Sequence, residues 1–470
     1  MDLSVDLEAR GDRASAIYRA LLDAVRRGRL HPGDRLPPTR QLALDLGVSR
    51  NTVATAYERM TAEGWFEARV GAGTYVTDAA IPTSPRRKPS ALVPRSGWSF
   101  VPQPVSGGAV VPPYDFRVGI PDAGLFPFDT WRRLLTAEVR LRANSPGTYA
   151  DPAGLPQLRE AIVRNLALSR GVDADVEDVL VTNGTQQALD IVARVLVGPG
   201  DVVAVEDPGY PSAVELFEAA GAKVVPVPID EEGIRVDLIP GSAVLVFTTP
   251  SHQFPLGVPM SLARRRELLD FAERHRMAIV EDDYDSEFRF TERPLEPLHC
   301  LDRAGRVIYV GTFSKSLLPS LRAGYLVAPE SLRDALRAAR QMTDGYGLLP
   351  IQAALARFMA EGMFARHVRR AAKVYGERRE LVLAELNRVP GWEPVPSAAG
   401  LHVTALGPAG ADTARIRQAA AEHGIAMESL DSFSRLPTRP GLVIGYGAAR
   451  TDSIRPGLLA LRRILLTTNG

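Results

Sequence analysis

The pattern of apolar and polar positions changes character twice along the chain. Between residues 14 and 78 short stretches repeat at helical spacing. Ile17, Leu21, Leu22 and Val25 fall on one stripe, which predicts a helix from about Ala14 to Arg27. Pro32-Gly33-Asp34 breaks it. A second short helix is expected after Leu36-Pro37-Pro38-Thr39-Arg40, with Leu42, Leu44 and Leu46 turned partly inward. Gly47-Val48 turns the chain, and Ser49 is a good N-cap for a third helix through about Ala62. Two short strands, Trp65 to Val70 and Thr74 to Val76, flank Gly71-Ala72-Gly73. Residues 79–113 are rich in Pro, Ser and Gly and lack apolar periodicity, which predicts an extended linker. From about residue 114 to 470, β-branched runs alternate with amphipathic helical stretches. Val179-Leu180-Val181, Val202 to Val205, Ala243 to Phe247, Met277 to Val280 and Val307 to Val310 are the clearest. Near-continuous apolar strands between helices indicate an α/β domain with a mostly parallel sheet buried on both faces. Residues from about 370 to 470 predict a smaller α/β subdomain.

Composition narrows the classes. A length of 470 implies two or three domains, and 45% apolar with 24% charged residues is ordinary for a soluble globular protein. A formal net charge of +1 excludes a generally basic chain that coats nucleic acid or anionic lipid, but leaves room for a local basic face. The single Cys300 excludes an intramolecular disulfide and any multi-cysteine metal site, and fits a reducing, cytoplasmic setting. Met1 to Arg13 is polar and acidic, unlike a signal peptide, and no run of about 18 apolar residues is present to span a membrane. Only four of the 56 Lys+Arg are lysines: Lys88, Lys223, Lys315 and Lys373. Guanidinium does not titrate in proteins, so a retained lysine marks a place where a deprotonable amine could matter.

A helix, a tight turn, a second helix and a Gly-tipped hairpin are the parts of a winged helix-turn-helix. The third helix would enter the major groove of double-stranded DNA by its N-terminal end, where Arg50, Asn51 and Thr52 can reach base edges or phosphates. Arg35, Arg40 and Arg69 sit where backbone or wing contacts fall. The bland alternative is a small helical domain with solvated arginines, since residues 1–80 balance eleven Arg with eleven acidic residues. Locally the balance differs: residues 24–52 hold six Arg against two Asp. The run Gly33-Asp34-Arg35-Leu36-Pro37-Pro38-Thr39-Arg40-Gln41-Leu42-Ala43, then Leu46-Gly47-Val48-Ser49-Arg50-Asn51-Thr52-Val53, then Gly71-Ala72-Gly73-Thr74-Tyr75-Val76, resembles the GntR family of bacterial winged-helix regulators. Members usually have Ser where Thr39 stands, a change that keeps the hydroxyl.

In the larger domain three predicted strand ends carry chemistry. Lys315, in Tyr309-Val310-Gly311-Thr312-Phe313-Ser314-Lys315, lies just past a strand, where open parallel sheets bind ligands. Asp282 and Asp283 follow Met277 to Val280. Gly184-Thr185-Gln186 opens a helix after Val179 to Thr182, and such a start offers free N–H groups to a phosphate. Each piece alone is common: a surface lysine, a helix cap, a turn. Together, an amine, a carboxylate and a phosphate cradle fit pyridoxal 5′-phosphate. Its aldehyde needs a lysine for a Schiff base, and its pyridine nitrogen needs an anionic partner.

The stretch from about Tyr114 to the C-terminus resembles the fold-type I aminotransferases. Joined to a GntR-like head, it is similar to the MocR subfamily, which includes regulators of GABA use and of pyridoxal phosphate synthesis. The resemblance implies Lys315 as the Schiff-base lysine, with Ser314 beside it in the motif. It implies Arg322 and Thr312 as phosphate ligands, together with Gly184, Thr185 and Gln186. Asp282 matches the pyridinium partner, with Asp283 as competitor; Tyr284 matches the contact to the ring hydroxyl and Tyr210 the stacking aromatic. Tyr149 matches a tyrosine reaching the neighbouring subunit's phosphate, which implies a homodimer. Two departures stand out. Phe254-Pro255-Leu256-Gly257 replaces the usual Asn-Pro-x-Gly, leaving His252 or Gln253 as substitutes for the asparagine. In Gly441-Leu442-Val443-Ile444-Gly445-Tyr446, Val443 stands where an arginine would clamp a substrate carboxylate; Arg435, Arg439 and Arg450 are near but out of register. The expectation is therefore a DNA-binding transcription regulator that senses pyridoxal phosphate or its imine with a small-molecule amine. A working aminotransferase with a DNA-binding head is the alternative. Overall likeness and the missing clamp favour a regulator of pyridoxal phosphate synthesis.

Overall fold

The computed structural model describes residues 12–78, 112–140, 149–290, 296–397 and 399–468, in two compact units that divide before residue 112. The segment expected as a linker, 79–113, lies almost wholly outside the described residues.

The first unit contains helices α1 (Arg13–Arg26), α2 (Thr39–Asp45) and α3 (Arg50–Ala62), then strands β1 (Phe66–Arg69) and β2 (Gly73–Val76). The strands pair antiparallel, Phe66 opposite Val76 and Arg69 opposite Gly73. Asp12 caps α1 through its side chain, and the Ser49 hydroxyl accepts the Thr52 N–H at 3.1 Å to cap α3. Ile17, Leu21, Val25, Leu42, Val53, Met60, Phe66 and Val76 close one small core. One expectation fails here. Leu44 is 72% exposed, because in a helix of two turns residues i and i+2 do not share a face, and Leu42 and Ala43 already fill the inner one.

The second unit begins with β3 (Tyr114–Asp115) and is built on an eight-stranded sheet. Its strands are β4 (Val179–Thr182), β5 (Val202–Asp207), β6 (Lys223–Asp230), β7 (Gly233–Ile234), β8 (Ala243–Thr248), β9 (Ala278–Asp283), β10 (Val307–Thr312) and β11 (Gly324–Val327). The spatial order is β4-β11-β10-β9-β8-β5-β6-β7. Neighbours from β10 to β6 run parallel, whereas β11 is antiparallel to both β10 and β4, and β7 to β6. The C-terminal ends of β4, β5, β8, β9 and β10 thus meet on one edge, where a ligand is expected. The strand β9 runs further than its apolar segment predicts and takes in Asp282 and Asp283. Successive strand residues face opposite sides, so the two carboxylates are sent to different environments.

A smaller antiparallel sheet of β12 (Glu393–Pro394), β13 (His402–Leu406), β15 (Glu428–Ser429) and β16 (Gly441–Gly445) packs under the helices Met363–Leu386 and Thr451–Thr468. β14 (Ile425–Ala426) pairs with β3, so the residues after Tyr114 belong to this smaller layer, and Phe116 sits in its core. Sequence pattern alone places them at the start of the large sheet domain. The difference matters because these residues form one wall of the site. Among the described residues no helix is long and apolar enough to cross a membrane.

Candidate functional site

In the first unit the N-terminal end of α3 is an open, positive edge. Its first turn contains no acidic residue, and Ser49, Arg50 and Asn51 are exposed, with Thr52 half-buried. Arg35, Arg40 and Arg50 enter no ion pair among the described residues, unlike Arg27, Arg29 and Arg59. Thr39 is the first residue of α2, and Arg40 beside it is exposed. Arg69 is paired with Glu67 and lies over the Tyr75 ring at 4.6 Å. Gly71 and Gly73 have φ of 74° and 115°, and a Cβ on Gly73 would lie 3.1 Å from the Arg35 guanidinium. The wing turn therefore needs glycine at both places and holds Arg35 against the hairpin. Arg50→Ala is expected to weaken operator binding by about 1–3 kcal/mol without affecting cofactor binding, as read by fluorescence anisotropy and absorbance. Equal DNA affinity in the variant would count against α3 as the recognition helix.

In the second unit a cavity of about 1250 Å³ opens at the shared strand edge. Of the residues singled out from sequence it gathers Thr185, Gln186, Tyr210, Asp282, Tyr284, Thr312, Ser314, Lys315 and Arg322. Gly184, with φ of 88°, caps the helix Thr185–Leu196, and a Cβ there would come within 3.5 Å of the Arg322 guanidinium. Arg322 Nη2 donates to the Asn183 carbonyl at 2.6 Å, which pins its charge over that helix start. Thr312 Oγ1 accepts the Ser314 N–H at 3.2 Å. An anion placed there would meet a guanidinium, two hydroxyl side chains and a helix N-terminus. Tyr149 is 95% exposed and does not line the cavity.

The amine and the carboxylates are sorted by burial and partners. Lys315 Nζ donates to the Gly119 carbonyl at 2.7 Å, and a Cβ on Gly119 would lie 2.7 Å from that nitrogen. Burial pulls the lysine pKa down, against the opposing pull of Asp285 and Asp282. Asp282 is buried, its Oδ1 has no hydrogen-bond partner, and its pKa is pushed up to about 8 by burial and by Asp283. Asp283 points the other way, paired with Arg170 at 2.7 Å and accepting from the hydroxyls of Tyr309 and Ser286. Of the two candidates only Asp282 lines the cavity.

Neither substitute for the missing asparagine offers a free group. Gln253 Nε2 donates to the carbonyls of Pro208 (2.8 Å) and Phe254 (2.6 Å), and His252 is bonded to Asp285, Tyr284 and Ser397. Val443 is fully buried, opposite Thr404 in β13. Arg435 pairs with Glu218, Arg439 with Glu393 and Arg450 with Asp452, all outside the cavity. Sequence reasoning missed Gly119, Asp285, His402, Phe433 and Arg417, which also line the cavity. Asp285 lies just past the end of β9; the other four come from the segment after β3 and from the smaller layer, whose contribution has no strand-end signature.

A winged-helix unit followed by an aminotransferase-type unit with a lysine-bearing cavity defines a class of DNA-binding regulators built on an enzyme fold. Residues 13–76 match the family described as bacterial regulatory proteins of the gntR family, and residues 122–451 match aminotransferase class I and II. The "Probable rhizopine catabolism regulatory protein MocR" of Rhizobium meliloti is 39% identical over 480 residues, covering 99% of this chain and 96% of that one. The "HTH-type pyridoxine biosynthesis transcriptional regulator PdxR" of Corynebacterium glutamicum is 32% identical over 432 residues, covering 92% and 91%. Among solved structures, the kynurenine aminotransferase of Pyrococcus horikoshii superposes with a TM-score of 0.70 at 28% identity, over 76% of this chain and 91% of that one. The chain belongs to the MocR group of GntR-type transcription regulators. Pyridoxal 5′-phosphate dependence is the property of the aminotransferase fold family it shares.

Proposed function

We propose that the second unit binds pyridoxal 5′-phosphate and that its occupancy sets how tightly the first unit holds an operator. The observation that carries this is the orphan Oδ1 of buried Asp282, facing the same cavity as the amine of Lys315 and the guanidinium over the Gly184 helix start. A buried carboxylate without a donor is costly, and a protonated ring nitrogen is the donor that would satisfy it. The residues fit the group. Lys315 would hold the aldehyde carbon and Asp282 the ring nitrogen. Tyr284 would meet the ring hydroxyl and Tyr210 the ring face. Gly184, Thr185, Gln186, Thr312, Ser314 and Arg322 would hold the phosphate, with Tyr149 supplied by a second copy of the chain. When bound, the cofactor supplies a carbonyl that reacts with primary amines and a ring that withdraws electrons. The chain's own residues bind and orient it, and Lys315 donates or accepts a proton at Nζ.

Turnover of amino acids is disfavoured by Val443, which offers no bidentate grip on a carboxylate. The effector is then the cofactor itself, or an amine captured on it. By linkage, a ligand that shifts operator affinity is itself bound with different affinity in the DNA-bound and DNA-free forms. The two relatives named for the regulation of rhizopine catabolism and of pyridoxine biosynthesis support the regulator reading. The retained lysine and Asp282 favour one second reading, a working aminotransferase. The deciding experiment titrates the full chain onto its own upstream DNA, with and without pyridoxal 5′-phosphate and a panel of amines, at fixed salt. A change in operator affinity of tenfold or more with the cofactor is expected. Unchanged affinity together with rapid keto-acid release from amino acids would replace the proposal by the enzyme reading.

A further inference from the structure

The position where an aminotransferase would present its arginine lies on the smaller sheet, and the cavity-facing residue beside it is acidic. Val443 is the middle residue of β16, opposite Thr404 in β13 and opposite Glu428 in β15. Leu442 and Ile444 sit in the core of the smaller layer, as do Val403, Ala405 and Met427. Alternation therefore puts Val443, Thr404 and Glu428 together on the other face. Val443 does not reach the cavity, but Glu428 lines it. Thr404 spends its hydroxyl on the Pro255 carbonyl at 2.5 Å. Glu428 has acceptor capacity to spare. Among the described residues its one hydrogen bond comes from the Val118 N–H to Oε2 at 3.1 Å, and it enters no ion pair. Arg117, whose charge it feels, is held by Asp115 at 2.6 and 2.8 Å. The residue after Val118 is Gly119, whose carbonyl holds the Lys315 amine. A carboxyl and an amine thus attach to neighbouring residues of one wall. Two residues of extended chain span about 7 Å, which brackets a ligand of a few carbons.

We propose that Glu428 selects the effector by accepting a hydrogen bond from the far end of an amine whose reacting nitrogen lies at Lys315. The effector is then a primary amine that carries a donor at that far end, an ammonium or a hydroxyl, and no carboxylate. This deepens the sensing role proposed above and rests on it. An amino acid would set its own carboxylate against Glu428, with Val443 offering nothing in return. Burial pushes the Glu428 pKa up to about 7, against the opposing pull of the Val118 N–H and Arg117. A donor from the ligand, above all a cation, stabilises the ionised form that burial disfavours, whereas a second carboxylate adds to its cost. The rival anchor is Arg417, in the helix Thr413–Glu422, which also lines the cavity. It is exposed and enters no ion pair among the described residues, and its Nη1 lies 3.5 Å from the Ser429 hydroxyl. That single long contact does not fix a guanidinium in the two-pronged geometry of a carboxylate clamp.

The test uses the full chain loaded with pyridoxal 5′-phosphate, with the visible band as the measure of loading. Primary amines with chains of about three to six carbons are compared in sets that differ only at the far end: ammonium, hydroxyl or carboxylate. Binding is read by isothermal titration and by the shift in operator affinity. The best donor-bearing amine is expected to bind at least about tenfold more tightly than the amino acid of equal length. In Glu428→Gln, which keeps an acceptor for the Val118 N–H, that advantage is expected to fall by about tenfold. A larger fall for the diamine than for the amino alcohol marks an ammonium as the natural donor, and equal falls mark a hydroxyl. An amino acid that binds as well as its donor-bearing partners in the wild-type chain overturns the proposal without any variant, and loss of that binding in Arg417→Ala would assign the anchor to Arg417. A preference that survives Glu428→Gln at equal loading overturns it too, as does failure of every donor-bearing amine to bind. A chain that develops no band at all removes the cofactor reading, and this inference with it.

Discussion

Lys315→Ala is expected to abolish the shifted visible band of bound pyridoxal 5′-phosphate and to weaken its retention about a hundredfold, close to 3 kcal/mol. The amine sits against the Gly119 carbonyl at 2.7 Å, and burial lowers its pKa, which favours the uncharged form that attacks an aldehyde. Removing it leaves Arg322, the Gly184 helix start and the Thr312 and Ser314 hydroxyls in place, so residual non-covalent binding through the phosphate remains. Lys315→Arg is expected to do no better, because guanidinium cannot deprotonate to become a nucleophile. Borohydride reduction followed by mass analysis distinguishes covalent from non-covalent retention. The same variant is expected to keep basal operator binding, which resides in the first unit, and to lose its response to the cofactor. An unaltered band in Lys315→Ala would remove the basis for the cofactor proposal.

The parts of this architecture that sequence reveals are those fixed by short-range rules. The Ser49 cap, the Gly71-Ala72-Gly73 turn and the apolar stripe of Ile17, Leu21 and Val25 are local, and each appears where the pattern puts it. The strand-end residues Lys315 and Gly184 are legible for the same reason, since a buried parallel strand announces its own end. What pattern could not supply is pairing over long separations. β14 lies some 310 residues beyond β3, and only their parallel pairing brings Val118 and Gly119 to the Lys315 side of the cavity. Asp285 and His402 are likewise invisible as a pair until β9 and β13 are folded against each other. The choice between Asp282 and Asp283 depended on likeness until the strand was seen to include both. Alternation then turns one into the cavity and the other toward Arg170.

That division of labour on β9 leads to the largest expected effect on stability. Arg170→Ala is expected to destabilise the second unit by about 3–5 kcal/mol, as for the loss of one partner from a buried ion pair. Arg170 and Asp283 side chains are 5% and 1% exposed, and Arg170 Nη2 also donates to Ser251 at 2.7 Å. Burial works against the charge on Arg170, but Asp283 and Tyr309 outweigh it and hold the guanidinium protonated. Without it Asp283 keeps the Tyr309 and Ser286 hydroxyls and loses its cation. The adjacent Asp282 already feels Asp283 as a like charge. An Asp283 without its cation repels the charge on Asp282 more strongly, so the carboxylate proposed for the ring nitrogen ionises less readily. The variant should therefore lose cofactor affinity as well as stability, although Arg170 does not line the cavity. Urea midpoints with and without pyridoxal 5′-phosphate measure both, read as shifts rather than as a two-state free energy in a chain of two units. The paired replacement Arg170→Met with Asp283→Leu removes both charges and is expected to recover most of the stability. If Arg170→Ala moves the midpoint by less than the equivalent of about 1 kcal/mol, the pair is not the cation that holds this cluster of carboxylates together.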